Sequence, residues 1–119
     1  MKKTVVLGAS VKPDRYAYKA TVALMSREIE VVPVGRRTGV IQGVEILTDF
    51  PPIKDVDTVT LYIGPSHQGP WTDYIWSLQP KRIIFNPGTE NPELRDEAIK
   101  RGIEVTDACT LVMLAIDNY

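Results

Sequence analysis

Cysteine and histidine, which form disulfides and many metal sites, are scarce in this chain of 119 residues. The one cysteine, Cys109, excludes an internal disulfide and a multi-cysteine metal site, and the one histidine, His67, argues against a histidine-based metal site. No apolar run approaches the roughly 20 residues of a membrane-spanning helix, and the first residues lack the apolar core of a signal peptide. We therefore expect a cytoplasmic protein that binds neither a metal nor a membrane.

The chain also lacks an excess of charge of either sign, because it has 14 basic and 15 acidic side chains. This balance argues against a general nucleic-acid binder. The distribution is uneven, however: residues 1–40 carry eight Lys and Arg against three Asp and Glu, a net charge of +5, and the rest of the chain carries −6. A positive region is typical of a site for a small polyanion, with chance asymmetry of a solvated surface as the alternative.

Short β-branched segments alternate with helical patterns along the chain, which predicts a parallel sheet. Strands are predicted at residues 4–7, 30–34, 42–47, 57–63, 82–85 and 103–105, the third of these as a short edge strand. Helices are predicted at residues 14–28, 67–78, 92–101 and 108–116, with Leu94, Ala98 and Ile99 facing inward. We expect residues 1–119 to form one α/β domain, a three-layer Rossmann-like fold with a mainly parallel sheet of about five strands and helices on both faces.

The segment from the first strand to Arg15 carries the main functional signal. The strand ends on Gly8-Ala9-Ser10 and leads towards a helix. Small residues let the backbone approach a pyrophosphate, and the N–H groups at the start of the helix attract the anion. Lys12 and Arg15 add positive charge. Only one glycine of the G-x-G-x-x-G pattern is present, so a glycine at a strand-to-helix bend with a serine cap is the alternative.

The predicted second strand lacks the terminal acid that holds the ribose hydroxyls of NAD. It ends in Val34-Gly35-Arg36-Arg37, and a basic pair can bind a ribose phosphate through forked hydrogen bonds. This favours coenzyme A or NADP over NAD, with two solvated arginines as the alternative. Ligand crevices lie at the carboxyl ends of parallel strands. The loops at residues 8–10, 34–37, 63–65 and 86–88 should therefore share one rim.

No catalytic residue is predicted. Cys109 lies near the start of the last predicted helix, where a helix dipole lowers a thiol pKa, but a buried core cysteine is the favoured interpretation. His67 has no triad partners and is interpreted as a loop or helix-start residue. Trp71 and Trp76 are interpreted as packing residues.

Taken together, these residues resemble the small single-domain CoA-binding proteins, which are similar to the CoA-binding domain of the succinyl-CoA synthetase alpha subunit. The resemblance covers most of the chain. It rests on Gly8-Ala9-Ser10 with Pro13 and Arg15, on Val32-Pro33-Val34 followed by a basic loop and Gly43, and on the segments at residues 86–91 and 107–109.

The resemblance implies coenzyme A or an acyl-CoA as the ligand. It implies pyrophosphate contacts from Gly8, Ala9, Ser10 and Arg15, with Tyr16 beside them. It places Val34, Gly35, Arg36 and Arg37 around the adenosine and its phosphate, and Ile63, Gly64, Pro65 and Gly88 along the pocket. We expect a stand-alone binding protein without catalytic machinery. The alternatives are an NADP-dependent reductase, a CoA-linked transferase, or a regulatory or interaction subunit; a homo-oligomer or an unidentified protein partner also stays open.

Overall fold

A computed structural model describes residues 2–119. These residues form seven strands: β1 (Thr4–Leu7), β2 (Val31–Val34), β3 (Gly39–Ile41), β4 (Val44–Ile46), β5 (Thr58–Leu61), β6 (Arg82–Phe85) and β7 (Glu104–Asp107). Five of them make one parallel sheet in the order β2-β1-β5-β6-β7. Every residue of β1, β5 and β6 is buried, because central strands of a parallel sheet are covered on both faces.

Four helices cover the two faces of this sheet: α1 (Tyr16–Ser26), α2 (Thr72–Leu78), α3 (Pro92–Lys100) and α4 (Thr110–Ala115). On one face, Ile75 of α2 and Leu94 of α3 pack with the buried side chains of the sheet. On the other face, Leu24 of α1 and Leu114 of α4 pack with Val6. The predicted three-layer Rossmann-like architecture with a mainly parallel sheet is therefore confirmed.

The strand predicted at residues 42–47 exists as the shorter β4, but its predicted place as a single edge strand is wrong. The chain forms instead a two-stranded antiparallel hairpin of β3 and β4, apart from the main sheet. Gln42 and Gly43 connect the strands with φ angles of 46° and 83°, the conformation that two-residue hairpin turns require. The hairpin adjoins the end of β2, where the Leu47 amide donates to the Pro33 carbonyl (2.9 Å) and the Gly35 amide to the Leu47 carbonyl (3.0 Å).

Three helix predictions also need correction. The helix predicted to begin at residue 67 begins at Thr72, after two short 3₁₀ helices, because Pro70 cannot donate a backbone hydrogen bond there. Helix α1 spans Tyr16–Ser26 and is shorter at both ends than the predicted residues 14–28. Ile99 is 51% exposed and does not face the core. No helix found in residues 2–119 has both the length and the apolar character needed to cross a membrane.

Candidate functional site: a basic cavity at the carboxyl end of the sheet

A cavity of about 1340 Å³ opens at the carboxyl ends of the strands. Strand β1 lies between β2 and β5. Helix α1, which follows β1, covers one face of the sheet while α2, which follows β5, covers the other, so the connections after the neighbouring strands β1 and β5 leave the sheet on opposite faces. Such a reversal produces a crevice between the neighbouring loops, where ligands of open α/β sheets bind. The loops after β1, β2, β5 and β6 all contribute to the lining, so the predicted common rim exists.

Gly8 shapes the floor of the cavity. Its φ is +98°, and a Cβ built on it would lie 3.0 Å from Cγ1 of Ile63 and 3.1 Å from the carbonyl carbon of Tyr62. A side chain at this position would therefore be both strained and crowded. The amides of Gly8 and Ala9 donate to the Val34 carbonyl at 2.9 and 3.0 Å, so these two N–H groups hold the turn against β2.

Gly35 is where the end of β2 approaches this turn most closely. A Cβ on Gly35 would lie 2.6 Å from the Ala9 carbonyl oxygen, a distance that only glycine avoids. Val34 is fully buried and Gly35 is buried as well. These two predicted site residues do not line the cavity, because they support the turn from beneath. Pro65, which begins a 3₁₀ helix, does not line it either.

The amino terminus of α1 borders the cavity through Tyr16 and Ala17. No side chain of the described residues 2–119 caps this helix, and its first turn contains no acidic residue. The first backbone N–H groups of a helix have no partner within the helix, and the helix dipole makes this end positive. An anion placed there would meet unpaired donors and a favourable field.

Four cations line the cavity: Lys12, Arg15, Arg36 and Arg37. None of them forms an ion pair within residues 2–119, where the ion pairs join residues elsewhere: Lys3–Glu30, Arg27–Asp117, Arg95–Asp107 and Arg101–Glu97. Among the described residues that line the cavity, no Asp or Glu occurs. The cavity therefore presents uncompensated positive charge, which attracts an anion with several charges.

A buried amide network fixes the loops after β5 and β6. Gln68 is 1% exposed, and its Nε2 donates to the carbonyls of Ile63 and Thr89, both at 2.8 Å. The Nδ2 of Asn91 donates to the Gln68 Oε1 at 2.8 Å, while the Asn91 Oδ1 caps α3. The loops are thus held in place before any ligand binds, which lowers the entropy that binding costs.

Asn86 joins the end of β6 to β5 and to α4. Its Nδ2 donates to Thr60 Oγ1 (2.7 Å) and to the Leu61 carbonyl (3.0 Å), and its Oδ1 accepts from the Thr110 amide (2.9 Å).

Tyr62, which also lines the cavity, has a phenol that stays protonated at neutral pH, because burial raises its pKa to about 12. The Tyr62 hydroxyl is buried and has no hydrogen-bond partner among residues 2–119.

Cys109 is half-buried and lines the cavity at the residue before α4. The favoured interpretation as a core cysteine is therefore wrong, although its place at the start of the last helix was predicted. His67 lies in a 3₁₀ helix at the rim and is exposed, as a loop or helix-start residue should be. No group of three potential metal ligands occurs in residues 2–119.

The structure brings most of the predicted binding residues together. The cavity is lined by Gly8, Ala9, Ser10, Arg15, Tyr16, Arg36, Arg37, Ile63, Gly64 and Gly88. Their contact with a ligand stays a prediction. Asn86 lies on the predicted rim and also lines the cavity, whereas Ile46, Phe50, Tyr62, Trp71 and Cys109 were not predicted to line it. Trp71 was predicted to pack, and it does so at 7% exposure while one edge reaches the cavity.

Comparison with known proteins gives a family and several structural neighbours. Residues 2–115 match the family described as CoA binding domain. The crystal structure of an uncharacterized protein shares 50% identity at a TM-score of 0.97, covering 100% of this chain and 98% of that one. A structure from Thermus thermophilus (23% identity, TM-score 0.86) covers 99% of this chain and 90% of that one. A conserved hypothetical protein from Pyrococcus furiosus shares 27% identity at a TM-score of 0.77, and the match covers 89% of this chain and 92% of that one. No curated protein matches the sequence.

Proposed function

The chain belongs to the CoA binding domain family, and from this premise we propose that it is a stand-alone protein that binds coenzyme A or an acyl-CoA. The observation that carries the proposal is the uncompensated positive charge of the cavity. Lys12, Arg15, Arg36 and Arg37 line it without an ion pair and without an acidic neighbour in the lining.

The chemistry of coenzyme A matches this distribution of charge. The molecule carries a pyrophosphate and a separate phosphate on its ribose, and the cavity has one pair of cations in the connection after β1 and another in the connection after β2. Lys12, Arg15 and the start of α1 would bind the pyrophosphate, and Arg36 with Arg37 would bind the ribose phosphate. The volume of about 1340 Å³ exceeds that of an ordinary small-molecule pocket, roughly 300–1,000 Å³, which suits a long ligand.

The proposal assigns binding and no chemical step. NADP also carries a ribose phosphate, so the basic pair alone does not distinguish the two nucleotides. Family membership favours coenzyme A, and the half-buried residues Ile63 and Gly64, with the buried Asn86 beside the end of β6, offer the pantetheine arm a path along the ends of β5 and β6.

Native mass spectrometry of the freshly purified protein tests the proposal. We expect a retained adduct with the mass of coenzyme A or of an acyl-CoA, and an added excess of coenzyme A should displace an acyl-CoA adduct. The mass of the adduct would identify the acyl group directly. An adduct of NADP mass that coenzyme A does not displace would overturn the proposal. So would a ligand-free protein that takes up no added coenzyme A.

A further inference from the structure

Phe50 is held in an unusual backbone conformation next to the cavity. Asp49 and Phe50 have φ angles of 62° and 54°, a region that residues other than glycine rarely adopt. Pro51 and Pro52 follow and stiffen the segment. The Tyr74 hydroxyl donates to the Pro51 carbonyl at 2.6 Å and anchors it to α2. The surrounding structure therefore imposes a strained conformation that points to a specific role for this side chain.

The ring of Phe50 covers two buried aromatic rings and is itself accessible. Its centroid lies 4.8 Å from that of Trp71 and 5.5 Å from that of Tyr74. Trp71 and Tyr74 are 7% and 6% exposed, whereas Phe50 is 47% exposed and lines the cavity. An aromatic ring that packs at an angle against two buried rings and is nearly half exposed at a cavity can stack on a flat ligand group.

The segment that carries Phe50 leaves the fold beside the basic pair. Leu47 forms a parallel bridge with Val34, and the Gly35 amide donates to the Leu47 carbonyl, so residues 47–50 start next to Arg36. Ile46, just before this bridge, also lines the cavity. A base whose ribose phosphate is bound by Arg36 and Arg37 would therefore have Ile46 and Phe50 as neighbours.

We propose that Phe50 stacks on the adenine base of the bound nucleotide and selects ligands that carry a purine beside their ribose phosphate. The inference rests on the proposed function and assigns a specificity-determining side chain to it. The pantetheine arm is apolar enough to contact Phe50 too, but its proposed path leads towards Asn86 at the end of β6. Strands β1 and β5 separate β6 from β2, which carries the arginine pair at its end. The adenosine half of the ligand is the part that the arginine pair keeps near Phe50.

Binding measurements with fragments of coenzyme A show whether Phe50 contacts the adenosine half or the pantetheine half of the ligand. The ligands are coenzyme A, adenosine 3′,5′-bisphosphate, which lacks pantetheine, and 4′-phosphopantetheine, which lacks adenosine. We expect Phe50→Ala to weaken coenzyme A and the bisphosphate by the same factor, about tenfold, because each loses one stacked aromatic contact. Binding of 4′-phosphopantetheine should not change. Phe50→Tyr should bind like the wild type.

Ile99→Ala is the matched control, because Ile99 is an equally exposed apolar side chain (51%) on α3 outside the cavity lining. It should leave all three affinities unchanged. Phe50→Leu, which keeps the apolar volume without the ring, covers the case in which the alanine variant fails to fold. A loss of coenzyme A affinity without a loss for the bisphosphate would overturn the inference. If the wild type binds coenzyme A and no Phe50 variant changes its affinity, the inference fails and the proposed function stands. Failure of the wild type to bind coenzyme A would overturn both.

Discussion

The two ends of the parallel sheet differ in the contacts that their basic side chains make. At the amino end, β1, β5 and β6 begin with Thr4, Thr58 and Arg82 side by side. The Arg82 guanidinium lies 4.5 Å from the centroid of the Tyr119 ring, and its Nε donates to Thr58 Oγ1 at 3.0 Å. The Tyr119 hydroxyl is hydrogen-bonded to Thr4. These side chains close the amino end with contacts to one another.

At the carboxyl end, the charged groups are left without such contacts. Lys12, Arg15, Arg36 and Arg37 line an open cavity and form no ion pair with a described residue. Polar groups that bind each other contribute to stability, while an unpaired cluster of like charges costs stability through repulsion. We infer that the amino end stabilises the fold and that the carboxyl end is kept for a ligand.

Tyr119 is largely buried at the amino end, and this burial raises the pKa of its hydroxyl above the usual value of 10.0. The hydroxyl is therefore protonated throughout the physiological range and keeps its hydrogen bond to Thr4. The Tyr119 hydroxyl therefore acts as a structural group at this end of the sheet.

The largest effect is expected from removing the basic pair. Arg36→Gln with Arg37→Gln should weaken coenzyme A binding by about a hundredfold, because two charge-assisted contacts to the ribose phosphate are lost. The free energy of unfolding should stay the same or rise. Calorimetric titration and urea denaturation measure the two quantities.

Arg95→Gln with Arg101→Gln removes the same charge from α3 and the residue that follows it, away from the cavity, and serves as the control for affinity. Its affinity for coenzyme A should match the wild type. An equal loss of affinity in both double variants would mean that overall charge, and not the cavity, governs binding.

A smaller effect is expected at the contact between β2 and the glycine turn. Gly35→Ala places a Cβ 2.6 Å from the Ala9 carbonyl oxygen, so the turn must move. We expect a loss of about 2 kcal/mol in the free energy of unfolding, the usual cost of overpacking, together with weaker coenzyme A binding. In Gly69→Ala the new Cβ meets no atom within 4 Å, so stability should not change. Equal stability of the two variants would contradict the close approach.

The smallest of these effects is expected at the amino end. Tyr119→Ala should lower the free energy of unfolding by about 1.5 kcal/mol, because Arg82 loses its aromatic neighbour and Thr4 its partner. Tyr119→Phe keeps the ring and should lose less. Neither variant should alter the affinity for coenzyme A. A change in affinity without a change in stability would break the distinction between the two ends.

The sequence predicts the parts of the fold that depend on local pattern. Strand β6 has the predicted bounds, and Asn91 caps α3 with Pro92 in its first turn, because both signals are complete within a few residues. Of the hairpin, only a strand at residues 42–47, which contains β4, was predicted, and β3 was missed. The signal for the hairpin was present in Gln42-Gly43, which can adopt the positive φ angles of a two-residue turn between β-branched segments.

The sequence predicts a residue of the candidate site only where the residue type and its place after a strand indicate a role in binding. Gly8, Arg15 and Arg36 are recognisable because glycine and arginine have clear roles at the ends of parallel strands. Phe50 could not be placed, since its position depends on the bridge between Leu47 and Val34 and on the packing of Trp71. Val34 and Gly35 were expected around the adenosine, but their hydrogen bond and close approach to the turn at Gly8 and Ala9 keep them beneath the cavity.

The most direct test is a calorimetric titration of the wild-type chain with coenzyme A and with 3′-dephospho-coenzyme A. The two ligands differ only in the ribose phosphate that Arg36 and Arg37 are proposed to bind. We expect both to bind, with coenzyme A at least tenfold tighter. Equal affinities would contradict the assigned role of the basic pair. The absence of heat with either ligand would contradict the account that the carboxyl end of the sheet is a coenzyme A site.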